Sequence, residues 1–209
     1  MVQDKVSGAR KDLTIAPVKY GVLALSYYAS TLISTLLINI AALGVCLIYL
    51  ANVGWCLSAG DVLLMAADVA LLTLFGTALS SCVIFPLTTQ GQASAVGTVV
   101  SAGYGFICGA YMPISSFSAG LQRVISFLPG TYGTSLLRNH AMRGAFAQMR
   151  DLGFPDAVIE AMRDSVDCNL VFMGKSVAQS GMYAVLLITI AVLIALYIAL
   201  NLICARRHR

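Results

Sequence analysis

The stretch that decides the fold class is GVLALSYYASTLISTLLINIAALGVCLIYL, residues 21–50. It contains no Asp, Glu, Lys or Arg. A helix needs about 20 mostly apolar residues to cross the hydrocarbon core of a bilayer. The stretch therefore predicts a transmembrane helix, and its excess length predicts that the helix tilts or extends into the headgroup region.

The composition of the whole chain agrees with a membrane protein. Of its 209 residues, 59% are apolar and only 11% are charged, against about 25% charged in an ordinary soluble domain. A chain of this size cannot bury so much apolar surface in one core, which excludes a soluble globular protein. The formal net charge is +4, but no stripe of basic residues suggests a nucleic-acid surface, so we expect no nucleic-acid partner.

Three more stretches are long and apolar enough to be spans, at residues 62–85, 93–111 and 179–204. Ser58 and Asp61 have the spacing of a capping box at the start of the second span. Lys and Arg precede the first span and follow the last, and neither short loop between spans contains them. This distribution places both termini in the cytoplasm. We predict an all-α integral membrane protein with four transmembrane helices in the lipid bilayer.

The outer connection, residues 112–178, contains apolar pieces too short to cross a bilayer. Between residues 113 and 137 the apolar sequence is interrupted by Pro113, Gly120 and the pair of Pro129 and Gly130. Pieces of about 10 residues favour re-entrant or interfacial helices over spans. We expect a re-entrant helical hairpin before the last span, followed by two short surface helices at residues 138–150 and 155–166.

Asp68 is the one carboxylate inside a predicted span, and Asp61 lies seven residues before it on the same helix face. An ionisable group at membrane depth is costly and marks a candidate functional site, here a proton or cation site. The alternative is that Asp68 faces the protein interior, where it is neutral or hydrogen-bonded to Ser or Thr. Both interpretations stay open at this point.

Two further patterns lie on single helix faces. Thr31, Thr35 and Asn39 recur every four residues in the first span, which favours either a wet translocation path or hydrogen bonds between helices. In the third span small residues recur at the same interval and let another helix backbone approach closely. These helix-packing candidates are Gly97, Ser101, Gly105 and Gly109. We expect a seam within the chain or with a second copy, the other interpretation being a substrate-lining face.

The sequence contains no motif for hydrolysis or metal binding. Gly174, Lys175 and Ser176 lack the leading glycine of a phosphate-binding loop, and no two cysteines have the spacing of metal ligands. A disulfide between Cys56 and Cys168 is an option if both face an oxidising compartment. We expect no catalytic residue, metal or cofactor in this chain, so energy for uphill movement comes from another chain or an ion gradient.

The first 13 residues predict an amphipathic helix. Val2, Val6, Ala9 and Leu13 share one face, charged residues surround it, and Pro17 ends the helical pattern. Such a segment either lies at the lipid headgroups or docks a cytoplasmic partner.

Two segments of this sequence resemble the permeases of ABC type-2 exporters. The first is MVQDKVSGARKDLTIAPVKYGVLALSYYAS, residues 1–30, in which a helix with acidic, basic and glycine residues ends at Pro17 and Val18 and leads into a span. The second is GAYMPISSFSAGLQRVISFLPGTYGTSLLR, residues 109–138, which is similar to the family's outer re-entrant hairpin. A final span that closes on basic residues completes the resemblance, which covers nearly the whole chain.

The resemblance implies a transport subunit of a bacterial plasma membrane that is not itself an enzyme. It would dimerise with a second permease copy and bind an ABC ATPase subunit, which would hold ATP and magnesium. Substrate would leave along the dimer interface by alternating access. Residues 1–19 would form the coupling helix that receives the movement of the ATPase, with the coupling residues Asp4, Lys5, Gly8, Arg10, Lys11 and Pro17. The candidate translocation path comprises Thr31, Thr35, Asn39 and Asp68.

The family has six spans, and its first two have no counterpart here, so we expect the chain to be a fragment or to start late. Two other function classes remain. A proton- or ion-coupled carrier would use Asp68, and a non-transporting membrane scaffold would associate with no ATPase.

Overall fold

The computed structural model describes residues 2–8, 20–172 and 175–207, and most of them are helical. Among these residues the helices are α1 (Val2–Ser7), α2 (Tyr20–Val53), α3 (Ala59–Ile84), α4 (Gln90–Ile107), α5 (Ala119–Ile125), α6 (Pro129–Asp151), α7 (Asp156–Ser165) and α8 (Gln179–Arg207). A short 3-10 helix, Ile114–Ser116, precedes α5. Between α7 and α8 two short antiparallel strands pair, β1 (Val171–Phe172) and β2 (Lys175–Ser176).

Three helices of the described chain are long and apolar enough to cross a membrane. They belong to α2, α3 and α8 and cover Gly21–Val53, Ala59–Ile84 and Gln179–Ile203. These helices correspond to the first, second and fourth predicted spans. An all-α membrane protein is therefore the fold class that the described chain supports.

The third predicted span, residues 93–111, corresponds to α4, which is not among these three helices. α4 has 18 residues and a length of about 27 Å, which is shorter than the hydrocarbon core of about 30 Å. Two glutamines in its first turn and four glycines along it lower its hydropathy. A membrane crossing by α4 stays a prediction.

The helix α3 lies at the centre of the bundle and packs against α2, α6 and α8. We call the end of the bundle at which residues 54–58 join α2 to α3 the turn end. One apolar cluster fills the space between α3, α6 and α8, and it contains Phe75, Tyr132, Leu136, Met182, Leu186 and Ile190. A second joins α2, α3 and α8 through Ala24, Tyr28, Ala78 and Tyr197. The four helices therefore form one packed unit.

The helix α6 corrects the sequence prediction for the outer connection. The predicted break at Pro129 lies between two helices, since α5 ends at Ile125 and Pro129 is in the first turn of α6, where its missing N–H costs no hydrogen bond. The helix continues for 23 residues, whereas the sequence predicts a short surface helix that begins at residue 138. Leu136 and His140 are buried against α3 and α8. Three other buried residues of α6 contact the outer connection instead, through hydrogen bonds to the backbone at residues 125, 167 and 168, and they are Thr131, Ser135 and Asn139.

The rest of the outer connection is closer to the prediction. α7 matches the second predicted surface helix, with Pro155 at its N-cap. α5 and the first turns of α6 occupy the place of the predicted hairpin. The depth of this hairpin in a membrane stays a prediction.

The surface of α2 is apolar and exposed in the single chain. In the most apolar 18-residue part of this span, no residue is buried inside the protein. Six of its large side chains are 67–69% exposed, and they are Leu37, Ile38, Val45, Ile48, Tyr49 and Val53. An apolar surface of this size requires lipid or another protein chain to cover it.

Candidate functional site

The side chains of His140 and Tyr183, from two other helices, contact the carboxyl group of Asp68. His140 Nδ1 lies 2.5 Å from Asp68 Oδ2, and the Tyr183 hydroxyl donates to Asp68 Oδ1 at 2.7 Å. Asp68 is 1% exposed and His140 is 4% exposed. The rings of His140 and Tyr183 also stack, with 6.5 Å between their centroids. This group of three residues, which we call the Asp68 cluster, joins α3, α6 and α8.

The Asp68 cluster satisfies the carboxyl group at both oxygens. An unpaired carboxylate in a protein interior is costly. A proton between His140 and Asp68 allows two arrangements: an imidazole N–H donates to the carboxylate, or a carboxyl O–H donates to the imidazole nitrogen. Both arrangements keep the hydrogen bond between α3 and α6. Asp68 therefore lies in the protein interior, with His140 and Tyr183 as its partners where the sequence suggested Ser or Thr.

A second acid–base pair lies nearer the turn end on the same two helices. Arg143 Nη1 is 3.5 Å from Asp61 Oδ1. The other oxygen of Asp61 accepts hydrogen bonds from the N–H and the hydroxyl of Ser58, at 3.0 and 2.7 Å. The predicted capping box of Ser58 and Asp61 is thus confirmed. α3 and α6 are connected at two levels, through Asp61 and through Asp68.

Two glycines allow α6 to approach its neighbours closely. A Cβ at Gly144 would overlap the backbone carbonyl of Cys56 at the turn end. A Cβ at Gly133 would overlap the side chain of Leu72 in α3. Because these positions carry no side chain, the backbone of α6 lies near enough to α3 for His140 to reach Asp68.

An ion pair and hydrogen bonds of Asp167 hold the outer connection against α6. Its carboxylate lies 2.8 Å from Arg138 Nη1 and accepts the N–H of Ile114 at 2.6 Å and that of Ser115 at 3.3 Å. The Ser135 hydroxyl donates to the Asp167 carbonyl oxygen at 2.8 Å. Asp167 is 4% exposed, and its partners are satisfied within the chain. We interpret this group as structural.

The structure does not bring the predicted path residues together at Asp68. The hydroxyls of Thr31 and Thr35 donate to carbonyl oxygens one turn earlier in α2, at 2.9 and 2.8 Å. Asn39 Nδ2 donates to the hydroxyl of Thr73 in α3 at 2.8 Å. Of these three residues, Asn39 therefore connects two helices, and a translocation path along the stripe stays a prediction.

Three of the four predicted packing residues lie on α4, and the fourth follows the end of this helix. Gly97, Ser101 and Gly105 lie on α4, in which no residue is buried. Gly109 follows the end of α4 with φ +77°, and the Ala110 N–H donates to the Gly105 carbonyl at 2.9 Å. This hydrogen bond is typical of a glycine that ends a helix. A seam with a second copy through the three residues of α4 stays a prediction.

The predicted coupling segment is described only in part. α1 covers Val2–Ser7, and Gly8 follows it with φ +83°. Residues 9–13 of the predicted helix lie outside the described residues. A side-chain hydrogen bond with Tyr27 lowers the pKa of Asp4 and links α1 to α2. α1 also packs against α4. Lys5 lies in α1, and Arg10, Lys11 and Pro17 lie outside the described residues.

The disulfide between Cys56 and Cys168 is not formed, and both are free thiols. Cys56 is exposed at the turn end, where its Sγ lies 2.9 Å from Gln148 Oε1. Cys168 is 2% exposed and packs with Phe146 and Ile159. Burial raises the pKa of the Cys168 thiol, so we expect Cys56 to react with thiol reagents much faster than Cys168.

The partners of Asp68 were not predicted from the sequence. A signal was present, because an ionisable residue inside an apolar span needs a buried partner and His140 is the one histidine away from the chain ends. His140 was missed because the predicted helix that contains it was assigned to the surface. Gly133 and Gly144 were missed because they follow no regular small-residue spacing.

Of three comparisons with known proteins, one gives a match. No curated protein and no solved structure matches this chain. The sequence model of the family described as ABC-2 type transporter matches residues 17–141. This region covers more than half of the chain and includes Asp68 and His140. The chain therefore belongs to the ABC-2 type transporter family.

Proposed function

We propose that this chain is the membrane-spanning permease subunit of an ATP-driven ABC exporter. Its partners would be an ABC ATPase subunit, which binds ATP and magnesium, and a second permease copy. The observation that carries the proposal is the family match over residues 17–141, on a bundle with three helices apolar enough to cross a membrane. We further propose a bacterial plasma membrane with both termini in the cytoplasm.

The packing of α3, α6 and α8 supports a movement in which these helices stay together. The Asp68 cluster and the Asp61–Arg143 pair connect α3 to α6 at two levels. The apolar cluster around Leu136 packs all three helices together. Packed units of this kind move between discrete arrangements and do not deform continuously. In the proposal, ATP-driven movement of residues 1–19 shifts this unit and opens the turn end to the outside.

The exposed faces of α2 and α4 support a second permease copy. The apolar surface of α2 is unburied in the single chain. The small residues Gly97 and Ser101 of α4 are not buried either, and they allow close approach of another helix. In the proposal these two faces lie against lipid or against the second copy, and substrate crosses between the copies.

Charge reversal of Lys5, Arg10 and Lys11 together tests the coupling role. We expect the triple glutamate variant to lose ATP-hydrolysing activity from the affinity-purified complex by about tenfold, because complementary charge fixes such interfaces. The measurement is vanadate-sensitive ATP hydrolysis by the tagged chain, purified from its native membrane.

The control reverses Arg206, Arg207 and Arg209, which changes the charge equally on the same predicted side of the membrane. Labelling of Cys56 in intact cells by a membrane-impermeant maleimide checks that each variant keeps its orientation. If the first variant retains full ATP hydrolysis while Cys56 is labelled as in the wild type, the coupling role is contradicted.

A second candidate function, a proton-coupled carrier, is favoured by the Asp68 cluster. The hydrogen bond between Asp68 and His140 persists with the proton on either partner, as a proton-relay group requires. An Asp68→Asn variant separates the two functions. An ATP-driven pump tolerates this variant, whereas a carrier that exchanges a proton at Asp68 loses transport.

A further inference from the structure

A cleft with a cationic lining opens at the turn end between α6, α7 and the start of α8. Its volume is about 370 Å³. The polar residues that line it are Asn139, His140, Arg143, Arg150, Arg163 and Gln179. Three of them are arginines, and no carboxylate belongs to the lining. The cleft therefore presents hydrogen-bond donors and positive charge to whatever enters it.

Two polar groups of the lining have no hydrogen-bond partner among the described residues. The His140 side chain is 5% exposed and uses Nδ1 to bind Asp68, so its Nε2 remains available to the cleft. Arg163 Nε is buried without a hydrogen-bond partner, since the Glu160 carboxylate is 4.0 Å away. A buried donor normally has a partner, so the unpaired Arg163 Nε, next to an imidazole nitrogen that makes no hydrogen bond among the described residues, indicates a ligand.

The charges around the cleft are only partly balanced. Arg143 contacts Asp61 at 3.5 Å, but its side chain is 65% exposed. Arg150 lies 3.6 Å from Asp156, and both side chains are more than two-thirds exposed. The Arg150–Asp156 pair, exposed on both sides, is weak, so the Arg150 guanidinium can turn to an anion in the cleft at low cost. The exposed Arg143 guanidinium has further N–H groups that can bind an anion while it keeps its contact with Asp61.

We propose that this cleft binds the phosphate group of an anionic ligand. In the arrangement in which the Asp68 carboxyl O–H donates to Nδ1, His140 Nε2 carries the ring proton, and it would donate from the base of the cleft together with Arg163 Nε. Arg143 and Arg150 would line the rim. Several donors around one point suit a tetrahedral oxyanion, which guanidinium groups bind through paired hydrogen bonds. The volume accommodates a substituent beyond the phosphate. The inference depends on the cleft alone and goes beyond ATP-driven export.

The first test uses the full chain in zwitterionic detergent and inorganic phosphate as the probe. A His208→Gln variant leaves His140 as the single histidine, so that ¹⁵N-histidine spectra report this side chain alone. We expect the Nε2 resonance to shift on titration with phosphate. Sodium chloride at equal ionic strength is the control, and we expect no shift with it.

A second arm distinguishes a lipid headgroup from a free phosphate. The same labelled chain is placed in nanodiscs of phosphatidylglycerol or of phosphatidylcholine, without added phosphate. A shift in the phosphatidylglycerol discs alone assigns the site to an anionic lipid. A shift with inorganic phosphate alone assigns it to a soluble ligand. Either result supports the proposed site.

Variants locate the binding in the cleft. We expect the double variant Arg150→Gln with Arg163→Gln to weaken phosphate or lipid binding by about tenfold. The matched control is Arg123→Gln, which removes one charge from an exposed position on α5 outside the cleft, and we expect no change. If the double variant does not fold, the exposed Arg150→Gln change alone is measured, with a smaller loss expected.

Two results would overturn the proposal. One is a His140 Nε2 resonance that no phosphate-bearing probe shifts. The other is binding that the cleft variants weaken no more than Arg123→Gln does, since the anion would then lie elsewhere on the chain. Neither result bears on ATP hydrolysis by a partner, so the proposed function is tested separately.

Discussion

An Asp68→Leu variant is expected to lower the free energy of unfolding by about 3 kcal/mol, because it leaves two hydrogen-bonding groups in the protein interior unpaired. These are the groups of His140 and Tyr183 that bind Asp68 in the structure. Asp68→Asn is expected to lose less than about 1 kcal/mol. The asparagine oxygen still accepts from Tyr183, and its amide donates to His140.

The measurement is unfolding in mixed micelles, followed by circular dichroism. Ala67→Leu is the matched control, since Ala67 precedes Asp68 on α3 and is exposed. We expect this control to unfold like the wild type. If Asp68→Leu is as stable as Ala67→Leu, the Asp68 cluster does not hold α3, α6 and α8 together.

A Gly144→Ala variant is expected to lower the free energy of unfolding by about 3 kcal/mol, at the upper end of overpacking effects. The new methyl group would overlap the carbonyl of Cys56. That carbonyl belongs to the backbone and cannot rotate away as a flexible side chain would. The variant must therefore separate α6 from the turn end, which also strains the contact between His140 and Asp68.

The control for this variant is Gly76→Ala in α3, where an added Cβ meets nothing within 4 Å. We expect Gly76→Ala to stabilise the chain by about 0.5 kcal/mol, because alanine is the better helix former. Both variants are compared by thermal unfolding in the same detergent. Equal stability of the two would show that α6 does not lie against residues 54–58.

The spans and the capping box could be predicted because each depends on residues near one another in sequence. The span at residues 21–50 requires only a long uncharged stretch, and the structure places α2 there. Ser58 and Asp61 are three residues apart, so their spacing alone indicates the helix start. Features of this kind can be predicted because the residues that cause them are neighbours in the sequence.

The Asp68 cluster could not be predicted in this way. His140 and Tyr183 lie 72 and 115 residues from Asp68 along the chain, so only the packing of α6 and α8 brings them together. The prediction for α6 was too short because residues 130–137 were assigned to the hairpin, so that the helix was expected to begin only at residue 138. In the structure Pro129 starts the helix, and Gly133 lets it pack against Leu72.

The central claim is that ATP bound by a partner moves this chain, and the distance between spin labels on two copies tests it most directly. The labels are attached to Cys56, which is exposed at the turn end, after Cys46 and Cys204 are replaced by alanine. The account predicts one distance in the nucleotide-free complex and another, shifted by about 5 Å or more, after trapping with ATP and vanadate. An unchanged distance, or a complex with neither a second copy nor an ATPase, would contradict it.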